Sequence, residues 1–528
     1  MSAQRVLVCG RLPGAGRAAL EAAGIEVDHQ PDRQAGSLAD VIAPFAGVIV
    51  HSPHLVDAAA VDAGEQLRVI GRAGVGVDNI DVEAATEHGV LVMNLPWGNT
   101  VTAAEHTMAL LAALARNVPQ ASAALAAGVW DRKTYLGVEL KDKALGVIGL
   151  GRIGREVVRR AQGFDMRVLG SDPFLPASVA EDLGIELMTV EDLLPRIDFL
   201  TVHVPRTPDT HHLIDARAIA AMKPGVRIIN CARGGLVDEA ALLEGLESGQ
   251  VAGAACDVFE EEPTHNTTLL SHPHFIGTPH LGGATAEARE RVGEGIAVQL
   301  ADFLSRGLIR HAVNVQALPP EEYRAMLPYF DLGRAMGGLL SQCYEGIEAL
   351  RVEYFGDITR LTLRPLTAHI LAGLFRPFLG EQVNTVNAHA IARQRGLRVE
   401  ESTSTDERGY SSLIRIEAIT SAGVHSVAGT VFDGQKGRLV ELEGLPIEIT
   451  PTGHLLVFVN EDTPGVIGRV GTFLAECGIN IADMRLGRSS PGGNAIAAMT
   501  IDEPIDHDCM QELLAISNIR WARIVAFE

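Results

Sequence analysis

Ala144-Leu145-Gly146-Val147-Ile148-Gly149-Leu150-Gly151-Arg152-Ile153-Gly154 decides the fold. Five apolar residues read as a buried strand, and the run then breaks into a turn with glycine at 149, 151 and 154. Arg152 and Ile153 stand between the last two glycines, and a helical pattern follows from Ile153. In a strand–turn–helix unit the first glycine makes the tight turn. The second lets the backbone approach a pyrophosphate, and the third lets the helix pack closely on the strand. The N–H groups that open the helix face the anion. Glycine spacing alone is weak evidence. Asp172, however, ends the next strand 18 residues after Gly154. A carboxylate there accepts ribose hydroxyls and repels a 2′-phosphate, so the expected cofactor is NAD.

Outward from this unit, short β-branched runs alternate with Ala-rich helical stretches over the first 300 residues. RVLVCG (5–10), GVIVHS (47–52), LRVIGRAG (67–74) and GVLVMN (89–94) precede the turn. MRVLGSD (166–172), IDFLTVHV (197–204) and VRIINCA (226–232) follow it. Near-continuous apolar strands alternating with helices predict parallel sheets covered on both faces, here two doubly wound units. The apolar stretch AAEHTMALLAALAR (103–116) is a long helix, and a further helix is predicted over 284–305. After 313–322 the texture changes. Segment 323–450 reads as mixed α+β, with a polar loop at 402–405. The last 75 residues read strand, helix, strand, strand, helix, strand, the βαββαβ order of ferredoxin-like domains.

Composition sets outer limits. The 528 residues favour several domains, and 47% apolar with 21% charged residues is the texture of a folded soluble chain. The acidic excess, 66 against 44 basic residues, argues against nucleic acid as a partner. No apolar run approaches the ~20 residues that span a bilayer, so no membrane role is expected. The opening residues read as a buried strand and not as a leader. Six cysteines without C-x-x-C spacing suit a reduced, cytoplasmic protein and no metal centre.

Three further segments sit where open α/β sheets place their ligands, at strand ends and in loops. They are Asn230-Cys231-Ala232-Arg233-Gly234-Gly235, Asp257-Val258-Phe259-Glu260-Glu261-Glu262-Pro263 and Thr278-Pro279-His280-Leu281-Gly282-Gly283. Together they supply a guanidinium, a carboxylate and an imidazole. Oxidation of a hydroxy acid by hydride transfer uses that set. An Arg grips a carboxylate with two parallel bonds, a His moves the hydroxyl proton near neutral pH, and a carboxylate orients the His. Singly, each residue also reads as solvated surface. The ordered set behind a dinucleotide turn carries the reading.

These motifs, with His203-Val204-Pro205-Arg206-Thr207-Pro208-Asp209-Thr210, closely resemble the NAD-dependent D-2-hydroxyacid dehydrogenase family over residues 1–310. The resemblance implies Arg233, Glu262 and His280 as the catalytic trio. It also implies cofactor contacts from Gly149, Gly151, Arg152, Ile153, Gly154, Asp172, Thr207, Cys231, Asp257 and Gly282. Cys231 and Cys256 are then small buried residues that line the site. The whole chain is similar to the long, phosphoglycerate-oxidising branch. That implies a substrate-binding domain (1–98 and 284–312), an NAD-binding Rossmann domain (99–283), an intervening domain (313–451) and an ACT regulatory domain (452–528). The implied assembly is a homo-oligomer, dimer or tetramer.

Gly71-Arg72-Ala73-Gly74-Val75-Gly76 and Asn99 are expected to meet the substrate, with Arg72 and Arg132 as candidates for pairing phosphate or carboxylate. Backbone N–H groups of such a Gly-rich loop can face an anion. One segment departs from the branch, whose members usually carry Arg where His51 stands in His51-Ser52-Pro53-His54. A His there is a weaker and pH-dependent partner for phosphate. Asn460-Glu461-Asp462-Thr463-Pro464-Gly465 and Gly478-Ile479-Asn480-Ile481 resemble the ACT ligand motif. That likeness implies Asn460, Asp462 and Asn480 as contacts for an amino-acid effector, L-serine in this branch. The implied reaction is oxidation of D-3-phosphoglycerate to 3-phosphohydroxypyruvate, the first step of L-serine biosynthesis. Two other readings stay open at this point: a dehydrogenase of a non-phosphorylated hydroxy acid, and a nucleotide-sensing protein without activity.

Overall fold

The seven-stranded sheet around the glycine turn organises the centre of the chain. The computed structural model describes residues 4–527. In spatial order the strands are Glu186–Leu187, Arg167–Ser171, Ala144–Ile148, Phe199–Val202, Val226–Asn230, Val251–Cys256 and Phe275–Gly277. Every neighbouring pair is parallel. Because side chains alternate across the sheet, Val147, Phe199, Ile229 and Ala255 feed one buried layer, while Ile148, Leu200, Ile228 and Ala254 feed the other. The first layer is covered by the helices Thr100–Arg116 and Arg152–Gln162. Burial on both faces is why these strands are apolar throughout.

One row of register partners runs across this sheet: Ser171, Ile148, Val202, Asn230, Cys256 and Gly277. The residue after each member of the row is Asp172, Gly149, His203, Cys231, Asp257 and Thr278. The candidate residues therefore leave the sheet along a single carboxyl edge, one step beyond the last paired residue.

The described chain forms two compact units. One contains residues up to Arg72, Val77–Asn94 and everything from Ile296 onward, and the other contains Ala73–Gly76 and Leu95–Gly295. In the first unit, a second parallel sheet has the order Glu26–Gln30, Arg5–Cys9, Gly47–Val50, Val69–Arg72, Leu91–Met93. The helix Ala286–Arg306 begins in one unit and ends in the other.

Further along the first unit, a six-stranded mixed sheet lies beneath the helices Pro320–Cys343 and Arg364–Leu379. Glycine sets how closely those helices approach. A Cβ on Gly337 would lie 2.0 Å from the carbonyl of Ile370, and one on Gly373 would lie 2.0 Å from that of Arg334. The expected loop at 402–405 is corrected here. Arg398–Ser404 is a strand, with Glu353, Tyr354 and Phe355 paired to Ser402, Thr403 and Ser404. It occupies the sheet edge and is largely exposed, so its polar sequence suits its place and conceals its conformation.

The terminal four strands, ordered Ile481–Arg488, Asn494–Ile501, His454–Glu461 and Ile519–Ala526, are antiparallel and form the expected ferredoxin-like sheet. Leu455, Val457, Ile496 and Val525 share a buried cluster with the six-stranded sheet and its helices. No described helix is long and apolar enough to cross a membrane.

Candidate active site

The glycine turn has the shape its spacing predicts. Gly149 has φ +91°, and a Cβ there would meet the carbonyl oxygen of His203 at 2.6 Å. A Cβ on Gly154 would stand 2.0 Å from the carbonyl oxygen of Gly149, so helix and strand meet as backbone. Gly151 differs, with no atom within 4 Å of the position a Cβ would take. It caps the helix Arg152–Gln162 without a side-chain hydrogen bond, leaving the helix N–H groups open to an anion. Asp172 tightens the same turn: Oδ2 accepts the N–H of Leu150 (2.8 Å) and Oδ1 that of Phe174 (2.9 Å). Each oxygen keeps a lone pair for a ribose hydroxyl. The open glycine, the uncapped helix and the carboxylate together fit NAD. Among the other expected cofactor contacts, Arg152 reaches the carbonyl of Pro96 (3.2 Å), and Ile153 packs partly buried beside the core. Thr207 is exposed and bonded to Thr210 (3.1 Å between hydroxyl oxygens).

Three neighbouring strand ends carry the candidate trio. After Asn230, the Asn side chain pins the turn: Oδ1 accepts the N–H of Ala232 (3.1 Å), and Nδ2 donates to the carbonyl of Arg233 (2.9 Å). A Cβ on Gly234 would fall 1.7 Å from the carbonyl oxygen of Phe259, so the Arg233 turn lies directly on the loop that bears Glu262. That loop presents Glu262 twice over. Oε1 accepts the N–H of Phe259 (3.1 Å), and Oε2 accepts Nδ1–H of His280 (2.7 Å). With its proton on Nδ1, neutral His280 keeps Nε2 free to take a proton.

The pair tunes itself. The hydrogen bond to Glu262 raises the pKa of His280 above its ordinary value, against the opposing pull of burial. Burial pushes the Glu262 carboxyl up, but His280 and the Phe259 N–H outweigh it and hold it below the usual range. Both side chains remain partly open, His280 at 52% and Glu262 at 36%, so solvent weakens the coupling.

Asp257, expected as a cofactor contact, is fully buried and binds the loop that bears His280. Its Oδ1 accepts the Thr278 hydroxyl (2.5 Å) and the N–H of Leu281 (2.7 Å), and its Oδ2 accepts the N–H of Gly282 (2.7 Å). Burial alone would raise its pKa, yet hydrogen bonds from His106, Thr278, Leu281 and Gly282 hold the carboxyl low and charged. His280 itself has φ +52°, a left-handed backbone uncommon outside glycine. Asp257 fixes the residues on both sides of it.

The residue the sequence reading missed is His106. It projects from the helix Thr100–Arg116, and its Nε2 donates to Asp257 Oδ1 (3.1 Å) beside the Thr278 hydroxyl (3.1 Å). A lone imidazole in the apolar run AAEHTMALLAALAR was the available signal. Behind the site, Cys231 and Cys256 are buried free thiols, and burial raises both pKa values, that of Cys231 to about 12.

The expected substrate contacts fall into different settings. Asn99 begins the Thr100–Arg116 helix, its Oδ1 is buried without a hydrogen-bond partner among the described residues, and its Nδ2 lies 3.1 Å from where Gly283 would carry a Cβ. Gly74 accepts the N–H of Leu95 through its carbonyl (2.9 Å), and Val75 is half-buried. Arg132 is exposed. In the other compact unit, Arg72 donates to the Ser52 hydroxyl (2.8 Å). There a Cβ on Gly10 would lie 2.7 Å from Cδ2 of the His51 ring, which bonds through Nε2 to the Arg11 carbonyl (3.1 Å). A carbonyl only accepts, so that nitrogen carries hydrogen, and only a protonated His51 has a second N–H for an anion.

Among the effector candidates, Asn460 is buried and donates to the Glu461 carbonyl (2.7 Å), while its Oδ1 is buried without a hydrogen-bond partner among the described residues. Asp462 accepts from Arg488 (3.1 Å) and the N–H of Gly492 (3.3 Å), and Asn480 donates to Asp502 (2.8 Å).

Comparison with known proteins places the chain in a family. The description "D-isomer specific 2-hydroxyacid dehydrogenase, NAD binding domain" matches residues 108–282. "D-3-phosphoglycerate dehydrogenase intervening domain" matches 325–443, and "ACT domain" matches 454–516. The chain is 40% identical to D-3-phosphoglycerate dehydrogenase of Bacillus subtilis, covering 92% of this chain and 93% of that one. It is 41% identical to that of Methanocaldococcus jannaschii, covering 90% and 91%. Among solved structures, the TT0316 protein of Thermus thermophilus superposes with a TM-score of 0.53 at 34% identity. That match covers 59% of this chain and 100% of the other. A glyoxylate reductase from Paecilomyes thermophila gives 0.54 at 30% identity, covering 61% and 100%. With an NAD-binding turn, an Arg–Glu–His edge and relatives matched over nine-tenths of their length, the chain belongs to the D-3-phosphoglycerate dehydrogenases of the NAD-dependent D-2-hydroxyacid dehydrogenase family.

Proposed function

We propose that the protein oxidises D-3-phosphoglycerate to 3-phosphohydroxypyruvate with NAD, opening L-serine biosynthesis in the cytoplasm. The observation that carries this reading is the Glu262–His280 hydrogen bond (2.7 Å) on the sheet edge that also bears the Gly149–Gly154 turn. Bound NAD would supply the hydride acceptor. Nε2 of His280 takes the hydroxyl proton, and Glu262 stabilises the imidazolium that results. Arg233 grips the substrate carboxylate. Gly151 and the helix behind it hold the pyrophosphate, and Asp172 holds the ribose. The proposed domains are residues 1–98 with 284–312 for substrate, 99–283 for NAD, 313–451 as an intervening domain and 452–528 as the ACT regulatory domain. L-serine, held by Asn460, Asp462 and Asn480 in a homo-oligomer, is the proposed inhibitor.

The test is reduction of 3-phosphohydroxypyruvate by NADH with the purified full-length chain, with and without L-serine. Turnover that serine suppresses is expected. No turnover overturns the reading, and turnover indifferent to serine overturns the regulatory part alone. A non-phosphorylated hydroxy acid is the second reading, favoured by the bond that ties His51 to Arg11. Glyoxylate and pyruvate in the same assay decide between the two.

A further inference from the structure

We propose that His211, His212 and Glu260 form a binding site for a zinc-class divalent cation. Their donor atoms lie within 4.8 Å of one another. The two rings stack with centroids 3.9 Å apart and an interplanar angle of 22°, so consecutive imidazoles share one side of the loop. Nε2 of His212 is hydrogen-bonded to Glu260. The backbone beneath them is built to hold that arrangement. His212 has φ +51°, a conformation that favours glycine, and its N–H donates to the carbonyl of Gly235 (2.7 Å). The N–H of Glu260 donates to Glu239 (2.8 Å).

A carboxylate also waits behind the ring. Asp238 Oδ2 lies 3.8 Å from Nδ1 of His212, while Oδ1 of the same residue caps the helix Glu239–Ser248. A carboxylate behind a His that presents its other nitrogen outward is the arrangement that fixes metal-binding imidazoles. Two imidazoles and one carboxylate suit Zn²⁺ and leave a position for water. On binding, the ion takes the place of the hydrogen on Nε2 of His212, and that proton moves to Nδ1 on the Asp238 side, so the ring ligates as a neutral imidazole. None of the three residues belongs to the proposed catalytic or cofactor machinery.

The experiment is calorimetric titration of Zn²⁺ into the tag-free full-length protein at neutral pH, with His211→Ala and Glu260→Gln in parallel. Co²⁺ serves as an optical probe of the ligand field. One ion bound per chain is expected, with affinity weakened at least about tenfold in each variant and the Co²⁺ visible absorption lost in His211→Ala. His211 is exposed, so its removal leaves the fold intact. No uptake by the wild-type protein, or uptake of equal affinity and stoichiometry by His211→Ala, overturns the proposal.

Discussion

Asp257 and Asp462 are both aspartates that follow a strand, and their surroundings are opposites. Asp257 is fully buried, and its two oxygens accept from His106, Thr278, Leu281 and Gly282. Asp462 is exposed enough to meet water, and one oxygen takes an Arg488 guanidinium and a distant Gly492 N–H. The first commits Oδ1 to three protein donors and Oδ2 to the N–H of Gly282. It holds the His280 loop rigid before any ligand arrives, and preorganised charge is worth most in such a place. The second keeps capacity for a guest. A surface ion pair of the Asp462 kind contributes about 0–1 kcal/mol and yields readily to a competitor.

The comparison breaks most directly at the Glu262–His280 edge. His280→Ala and Arg233→Ala are each expected to lower kcat/KM by about 10²–10⁴-fold while NADH binding, followed by fluorescence, persists. Next in size is Asp257→Ala, which strands the buried N–H groups of Leu281 and Gly282. A loss on the order of 3 kcal/mol in chemical denaturation is expected. An unchanged midpoint would show that the Asp257 cage is not structural.

Glu262→Gln sharpens the electrostatics. In the oxidation direction His280 must start neutral, so kcat/KM rises with pH through a value above that of an ordinary imidazole. Removing the carboxylate removes the cause of the rise, and the inflection moves to lower pH. Stability follows the same pair. The His280 contribution is complete at low pH and is lost as pH rises through its raised value. The Glu262 contribution is complete above the ordinary carboxyl range and is lost as pH falls through its lowered value. Denaturant midpoints of wild type and Glu262→Gln should therefore differ most between those two values. His106→Ala is expected to cost about 1 kcal/mol by deleting one bond to Asp257. The smallest effect on stability belongs to Asp462→Ala, within about 1 kcal/mol, with basal kcat unchanged and serine inhibition lost.

What the sequence made legible tracks how locally each feature is encoded. Gly149, Gly151 and Gly154 act within one turn, so their spacing carries their meaning. Arg233, Glu262 and His280 could be proposed from sequence because their segments follow strands that end at Asn230, Cys256 and Gly277. The role of Asp257 was not local. A carboxylate after a strand looks the same whether it faces a ligand or folds back on Leu281 and Gly282, and only tertiary packing separates the two. His106 was hidden for a similar reason, since its partners lie more than 150 residues away. The strand Arg398–Ser404 escaped because an exposed edge strand needs no apolar alternation. At His51 the departure from arginine was visible, but its bond to Arg11 was not.

The flush row Ser171, Ile148, Val202, Asn230, Cys256 and Gly277 carries a further consequence. Because the chemistry-bearing residues begin one position past a common line, they meet one another across neighbouring strand ends without altering the strands behind them, and some, such as Asp257 on Leu281 and Gly282, also hold a neighbouring loop. Chemical identity is thus set by what is mounted on the rim, and foldability by what lies behind it. A scaffold divided in that way can take on a new substrate by changing a few mounts, while a single-residue deletion inside any strand would pull one mount out of line with all the others.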